Sequence, residues 1–238
     1  MIKFINDRGL IINKQDFGEA DRYITVFTEN FGKQTFLLKG VRKSKKREIS
    51  SIDVLSLTNF SFYKKGDSYI VSSFNGIEDY LDIKSDLENL GIALYFLALL
   101  NSILMENNRK KSLYQLSIRS LEFLKTNKDI RKNYILVGYF IYYIIKDEGL
   151  KINIGKGNNF SFEKSSFISE NERGIYKVSE KEKKIIEKYV NGRAKDIKIE
   201  EDELENIKNV ISLLEKYVNF YLGIDIKLKN YIMEARND

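Results

Sequence analysis

The hydrophobic pattern changes its period once, near residue 80, and that change limits the folds open to this chain more than any motif in it. Before residue 80 the apolar residues recur every second position. Gly9–Gln15, Arg22–Thr28 and Gln34–Gly40 are short β-branched and aromatic runs, separated by the glycine-bearing stretches Asp16–Asp21 and Glu29–Lys33. Ile52–Tyr63 and Ser68–Phe74 follow, joined by the loop Lys64-Lys65-Gly66-Asp67, whose glycine suits a hairpin. Five short strands with a long connection between the third and the fourth suit an OB-like barrel, an architecture that often holds single-stranded nucleic acid.

Beyond residue 80 the period becomes helical. Ser85 with Glu88, Ser112 with Gln115, and Ser179 with Glu182 each read as a capping box opening a helix. The helix after Ser85 is apolar nearly all round, and the stretch Ile135–Ile145 is interrupted only by Gly138, so both belong in a core. A long amphipathic helix from Asp202 spaces Leu204, Ile207, Ile211, Leu214, Val218 and Tyr221 at steps of three and four and stops at Gly223; a short helix over Lys227–Glu234 closes the chain. Residues 149–178 are the least regular part, rich in glycine, with short strands expected at Phe160–Phe162 and Phe167–Ile168. The expected fold is therefore α+β. A five-stranded OB-like β-barrel over residues 1–78 precedes an α-helical bundle over 79–148 and 179–238, which carries the small irregular insertion 149–178.

Two absences narrow the chemistry. The chain contains no Cys and no His. Disulfides, thiolate or imidazole metal sites, and Ser-His-Asp, Cys-His and H-E-x-x-H catalysis are excluded. Gly149 and Gly155 with Lys156 fail the phosphate-loop spacing. A carboxylate nuclease needs several acids converging from strand ends, and the N-terminal strands are poor in acids. The expectation is a protein that is not an enzyme, with no cofactor and no metal. Residues Met1–Gln15 carry charges throughout and no apolar core, and the apolar runs Ala93–Leu100 and Tyr139–Ile145 are shorter than a membrane span, so a cytoplasmic, non-membrane protein is expected.

Charge is unevenly spread. From Lys39 to Arg47 the chain reads K-G-V-R-K-S-K-K-R, with no acid, and these six cations account for the whole net charge of +6. Such a block repels itself unless a polyanion relieves it, so Lys39, Arg42, Lys43, Lys45, Lys46 and Arg47 are the candidate phosphate contacts. Arg22 and Lys33 extend the patch if neighbouring strands present them on the same side. Tyr63, beside Lys64 and Lys65 and out of phase with Phe60 and Phe62, is the candidate for stacking on a base. Gly18 and Asp21 read as turn architecture. A reading from another class is a helical interaction scaffold whose small β-domain binds RNA or protein.

The string F-G-E-A-D-R-Y-I-T-V-F-T-E-N-F-G-K (Phe17–Lys33), the run L-L-K-G-V-R-K-S-K-K-R (Leu37–Arg47) and the segment L-L-E-K-Y-V-N-F-Y-L-G-I-D-I-K-L-K (Leu213–Lys229) resemble the RecO family of bacterial DNA repair and recombination mediators, and the element order matches over nearly the whole chain. The resemblance implies an OB-fold, a helical bundle and, in many members, a four-cysteine zinc ribbon near residues 149–178. It further implies binding to single- and double-stranded DNA, annealing of complementary strands, and help to RecA on DNA coated by single-strand-binding protein (SSB), in concert with a RecR-like partner. By the same resemblance the helical half captures the acidic, Phe-ended tail of SSB. Lys110, Lys111 and Arg119 are candidate cations for that tail, with Arg131 and Lys132 as alternatives, and the setting would be the nucleoid of a bacterial cytoplasm.

Overall fold

A computed structural model describes residues 3–44, 49–66, 68–170, 174–198 and 203–232. The chain divides into two compact units, Met1–Thr126 with Leu228–Asp238, and Asn127–Lys227.

The first unit is built on a closed barrel of strands β1 (Ile5–Phe17), β2 (Asp21–Thr28), β3 (Gly32–Leu38), β4 (Leu57–Lys65) and β5 (Ser68–Glu78), in the order β1-β2-β3-β5-β4. β1 is long enough to serve two neighbours. Its first half pairs with β4 from Ile5↔Phe62 to Leu10↔Leu57, its second with β2 from Gly9↔Thr28 to Phe17↔Asp21. A short parallel pairing of β3 with β5 closes the barrel. Alternation sends Ile24, Val26, Phe36, Leu38, Phe60, Phe62 and Val71 into one core and leaves Tyr23, Thr25 and Leu37 on the outside of their strands. Phe60 and Phe62 are core residues, as their shared strand face implies. The expected strand Ile52–Tyr63 begins later, at Leu57, because Ile49–Ile52 forms a 3-10 turn that buries Ile52, and Leu55 takes a positive φ of 62°.

Three helices follow in the same unit: α1 (Leu81–Lys84), α2 (Leu87–Ile103) and α3 (Lys111–Thr126). The cap of α2 is Asp86, not Ser85. Asp86 is extended and its carboxylate accepts the amides of Glu88 and Asn89, while the Ser85 hydroxyl donates to the Asp82 carbonyl and finishes α1. Ser112 lies inside α3, whose first turn is already closed by the Tyr114 amide on the Lys110 carbonyl. Tyr114 of α3 meets the outward Phe27 ring edge-on at 5.4 Å, so α3 covers that part of the barrel wall. The expected last helix is reduced to a 3-10 turn, Leu228–Asn230, with Tyr231 and Ile232 beyond it not helical; only Met233 and Glu234 of that prediction lie outside the described residues.

The second unit contains α4 (Ile130–Asp147), α5 (Glu180–Val190) and α6 (Leu204–Leu222), with a three-stranded sheet inserted after α4. Gly138 interrupts the apolar run of α4 because the Tyr189 ring lies against it. A Cβ there would stand 2.5 Å from the Tyr189 hydroxyl, which donates to the Ile135 carbonyl at 3.0 Å. The capping box of Ser179 and Glu182 is present on α5.

The sheet has strands β6 (Asn159–Ser161), β7 (Ser166–Ile168) and β8 (Ile175–Lys177), in the order β7-β6-β8. Where the resemblance implies a tetrathiolate zinc, this segment has no donor set. The chain lacks Cys and His, and among the described residues no three carboxylates converge. Buried Phe160 and Phe167 pack at 5.1 Å, with Tyr217 of α6 at 5.6 Å from Phe160. The Lys183 ammonium donates to the Gly155 and Gly157 carbonyls at 3.0 and 2.8 Å and stands 5.2 Å from the centre of the Phe167 ring. A side-chain cation and an aromatic cluster hold the turn together. No helix among the described residues is long and apolar enough to cross a membrane.

Candidate nucleic-acid interface

The basic connection does not leave the barrel as a free loop. It is fastened to the β1–β2 turn, itself shaped by Gly18 at φ 55°. Gly40 donates its amide to the Asp21 carboxylate at 2.7 Å, and Arg42 donates its amide to the Ala20 carbonyl at 2.9 Å. Val41 between them is wholly buried at the edge of the barrel core, and a 3-10 turn spans Val41–Lys43. Asp21 thus fulfils the turn role read from the sequence. It pins the first cations of the block to a rigid scaffold, as a binding site requires.

The side chains add a second layer. Asp16 holds two arginines at once, Arg22 Nε at 2.7 Å and Arg42 Nε at 3.2 Å, and Arg42 also donates from Nη1 to the Gly18 carbonyl at 3.0 Å. The hydrogen bond from Arg22, aided by the nearby Arg42, holds the Asp16 carboxyl below its usual range. The Lys43 ammonium lies 2.8 Å from Glu19, in a pair that is 63% and 90% exposed. Asp16 and Glu19 are the acidic partners of these cations, a pairing that strand patterning does not reveal. Their only sequence signal is that they flank Gly18 in the turn facing the basic run.

The predicted cations therefore fall into groups. Arg22, Arg42 and Lys43 are brought together around the Asp16–Glu19 turn, with exposed Lys39 just before it. Arg22 is only 12% exposed and serves the frame more than the surface. Lys33 is not part of this group. It sits at the start of β3, roughly 20 Å along the strand from Lys39, and its ammonium donates to the Asn101 carbonyl in the last turn of α2, where a helix favours a cation. Lys45, Lys46 and Arg47 lie outside the described residues.

Tyr63 is half-exposed on β4 and packs edge-on against Phe4 at 5.6 Å. Through the β1–β4 register it belongs to the beginning of β1, whereas the basic turn belongs to its end. The pair therefore sits apart from the cation group. Of the cations assigned to a partner tail, Lys110, Lys111 and Arg119 lie at the start of α3 and along it in the first unit. Arg119 reaches Gln115 at 3.5 Å. Arg131 and Lys132 open α4 in the second unit, where Arg131 is paired with the cap residue Asp129 at 3.1 Å.

The family model described as "Recombination protein O N terminal" matches residues 1–80, the barrel and the basic connection together. A DNA repair protein RecO of Acetivibrio thermocellus is 30% identical over 210 residues, covering 82% of this chain and 83% of the relative. The chain belongs to the RecO family. A further DNA repair protein RecO, of Alkaliphilus metalliredigens, is 26% identical and covers 96% of this chain and 92% of its own length. That of Caldanaerobacter subterraneus subsp. tengcongensis is 21% identical, with 98% and 99% covered. In this RecO family chain the closed barrel followed by helices agrees with the α+β fold read from the pattern change near residue 80.

Proposed function

We propose that this chain is a bacterial DNA repair and recombination mediator and acts by binding, not by catalysis. Its barrel holds single- and double-stranded DNA by the phosphates, brings complementary strands together, and with a RecR-like partner helps load RecA onto SSB-coated DNA. The acidic tail of SSB is taken by helix cations, with Lys110, Lys111 and Arg119 as first candidates and Arg131 and Lys132 as alternatives. The observation that carries the reading is the fastening of the basic connection. A run with no acid from Lys39 to Arg47 starts from a turn locked onto the barrel by Asp21, Asp16 and buried Val41. Phosphate contacts from such a run are indifferent to sequence, which suits a mediator that works on any DNA. The names carried by its relatives point the same way.

The test is a titration of the full chain with labelled oligothymidylate at two salt concentrations. Each neutralised single-strand phosphate contributes about −0.7 to the slope of log K against log salt, so four contacts cost about 50-fold in affinity between about 50 and about 200 mM salt. An affinity that is flat with salt, or absent at the lower salt, overturns the reading.

A second expectation concerns Glu19. Its exposed pair with Lys43 is the type that contributes about 0.2–1 kcal/mol, and a phosphate approaching Lys43 must displace it. Glu19→Gln should therefore raise affinity for oligothymidylate by up to about 5-fold at low salt, with a fall in melting temperature of no more than about 4 °C. Unchanged affinity would mean that Lys43 meets no phosphate.

A further inference from the structure

The outer wall of the barrel carries an aromatic pair beside the basic turn that the charge reading does not use. Phe17 ends β1 and is 55% exposed, and Tyr23 stands on the adjacent strand, with ring centroids 5.2 Å apart at 64°. The neighbours Ile24, Val26, Phe36 and Leu38 point into the core, so Tyr23 and its register partner Leu37 face outward, and exposed Lys39 follows directly after the end of β3. Phe17 is followed directly by Gly18, whose carbonyl accepts Arg42, and two residues on by Glu19, which holds Lys43. Other exposed phenylalanines lack this setting. Phe31 leans on core Phe62, and Phe4 pairs with Tyr63 towards the far end of β1.

An exposed ring costs hydration free energy, and here it sits next to cations that attract a phosphate backbone. Every unpaired base offers a π-face, whereas a duplex keeps its faces stacked inside.

We propose that Phe17 and Tyr23 form a stacking platform for the unpaired bases of single-stranded nucleic acid, with Lys39, Arg42 and Lys43 holding the adjoining phosphates. The platform rests on the phosphate-binding reading of this turn and deepens it. It gives the site a preference for single strands that cations alone do not provide. Stacking adds affinity without releasing counterions, so it leaves no mark on the salt slope.

The experiment uses the full chain with two variants. In Phe17→Leu/Tyr23→Leu, the apolar character is kept and the π-faces are lost. Single-strand affinity is expected to fall roughly 10-fold or more, while duplex affinity and both salt slopes stay as in the wild type. The chain contains no Trp, so Phe17→Trp places a unique fluorophore on the platform. Its emission should be quenched by oligothymidylate and not by a duplex at equal occupancy. Wild-type single-strand affinity in the leucine variant, or an unquenched tryptophan at saturating oligothymidylate, overturns the platform and leaves the phosphate reading intact. If the wild-type chain binds neither single strands nor duplex at low salt, the phosphate reading falls and the platform with it.

Discussion

Replacing Arg42, Lys43, Lys45, Lys46 and Arg47 together by serine is expected to lower single-strand affinity by about two to three orders of magnitude at about 0.1 M salt, with the barrel still folded. The magnitude follows from counterion release. Five contacts would flatten the slope of log K against log salt by up to about 3.5 units. Arg42 and Lys43 already share their charge with Asp16 and Glu19, so the net change lies below that limit. Stability should be nearly untouched, because the fastening of the connection runs mainly through groups the variant keeps: the Gly40 amide on Asp21, the Arg42 backbone amide on Ala20, and buried Val41. An unchanged slope in a variant that melts like the wild type would mean that the block is a solvated connection.

The substitution Gly32→Ala should destabilise the first unit by about 3 kcal/mol. Gly32 opens β3 with φ 72°, a conformation that costs an L-residue roughly 1–2 kcal/mol. A Cβ there would also collide with the backbone carbonyl of Asn108, in the loop between α2 and α3, and relief of such overpacking costs roughly 1–3 kcal/mol. The collision is costly because several bonds hold the two segments in place. The Asn107 amide donates to the Lys33 carbonyl at 3.0 Å, the Gln34 amide group donates to Asn107 Oδ1 at 3.1 Å, and Arg109 donates to Asn30 at 2.9 Å. Urea or thermal unfolding should show a fall in melting temperature of about 6–12 °C. A loss below about 1 kcal/mol would show that this loop yields freely.

Strand and helix existence was legible in the sequence because each element is marked within its own length. Ile24 and Val26 in β2, and Phe36 and Leu38 in β3, recur at every second position. The steps of three and four from Leu204 to Tyr221 mark α6, and Ser179 with Glu182 reproduces its expected reciprocal cap. Errors fell where two residues one position apart offer the same chemistry. Ser85 and Asp86 can both cap a helix. The ionised carboxylate, which accepts two amides, took the cap, and the hydroxyl turned back to the preceding helix. The segment Ile52–Leu57, four of whose six residues are Ile, Val or Leu, reads as strand by composition, yet a positive φ at Leu55 and the burial of Ile52 in a 3-10 turn delay the strand.

The sequence alone determined that the chain has a β-domain and a helical part, that its excess charge is concentrated from Lys39 to Arg47, and that no thiolate or imidazole chemistry is available to it. All three are properties of residue order and type. The tertiary structure decided which charges stand together. Asp16 and Arg22 meet across a strand pair, Arg42 reaches both Asp16 and Gly18 from another connection, and Lys33 is drawn away to the end of α2. It also decided that exposed Phe17 pairs with half-buried Tyr23 while Phe60 and Phe62 are buried. The physical reason is register. Period and charge are carried by neighbours in the chain, but the partner of a side chain across a barrel is set by strand pairing and closure, and a shift of one residue would exchange its inner and outer faces.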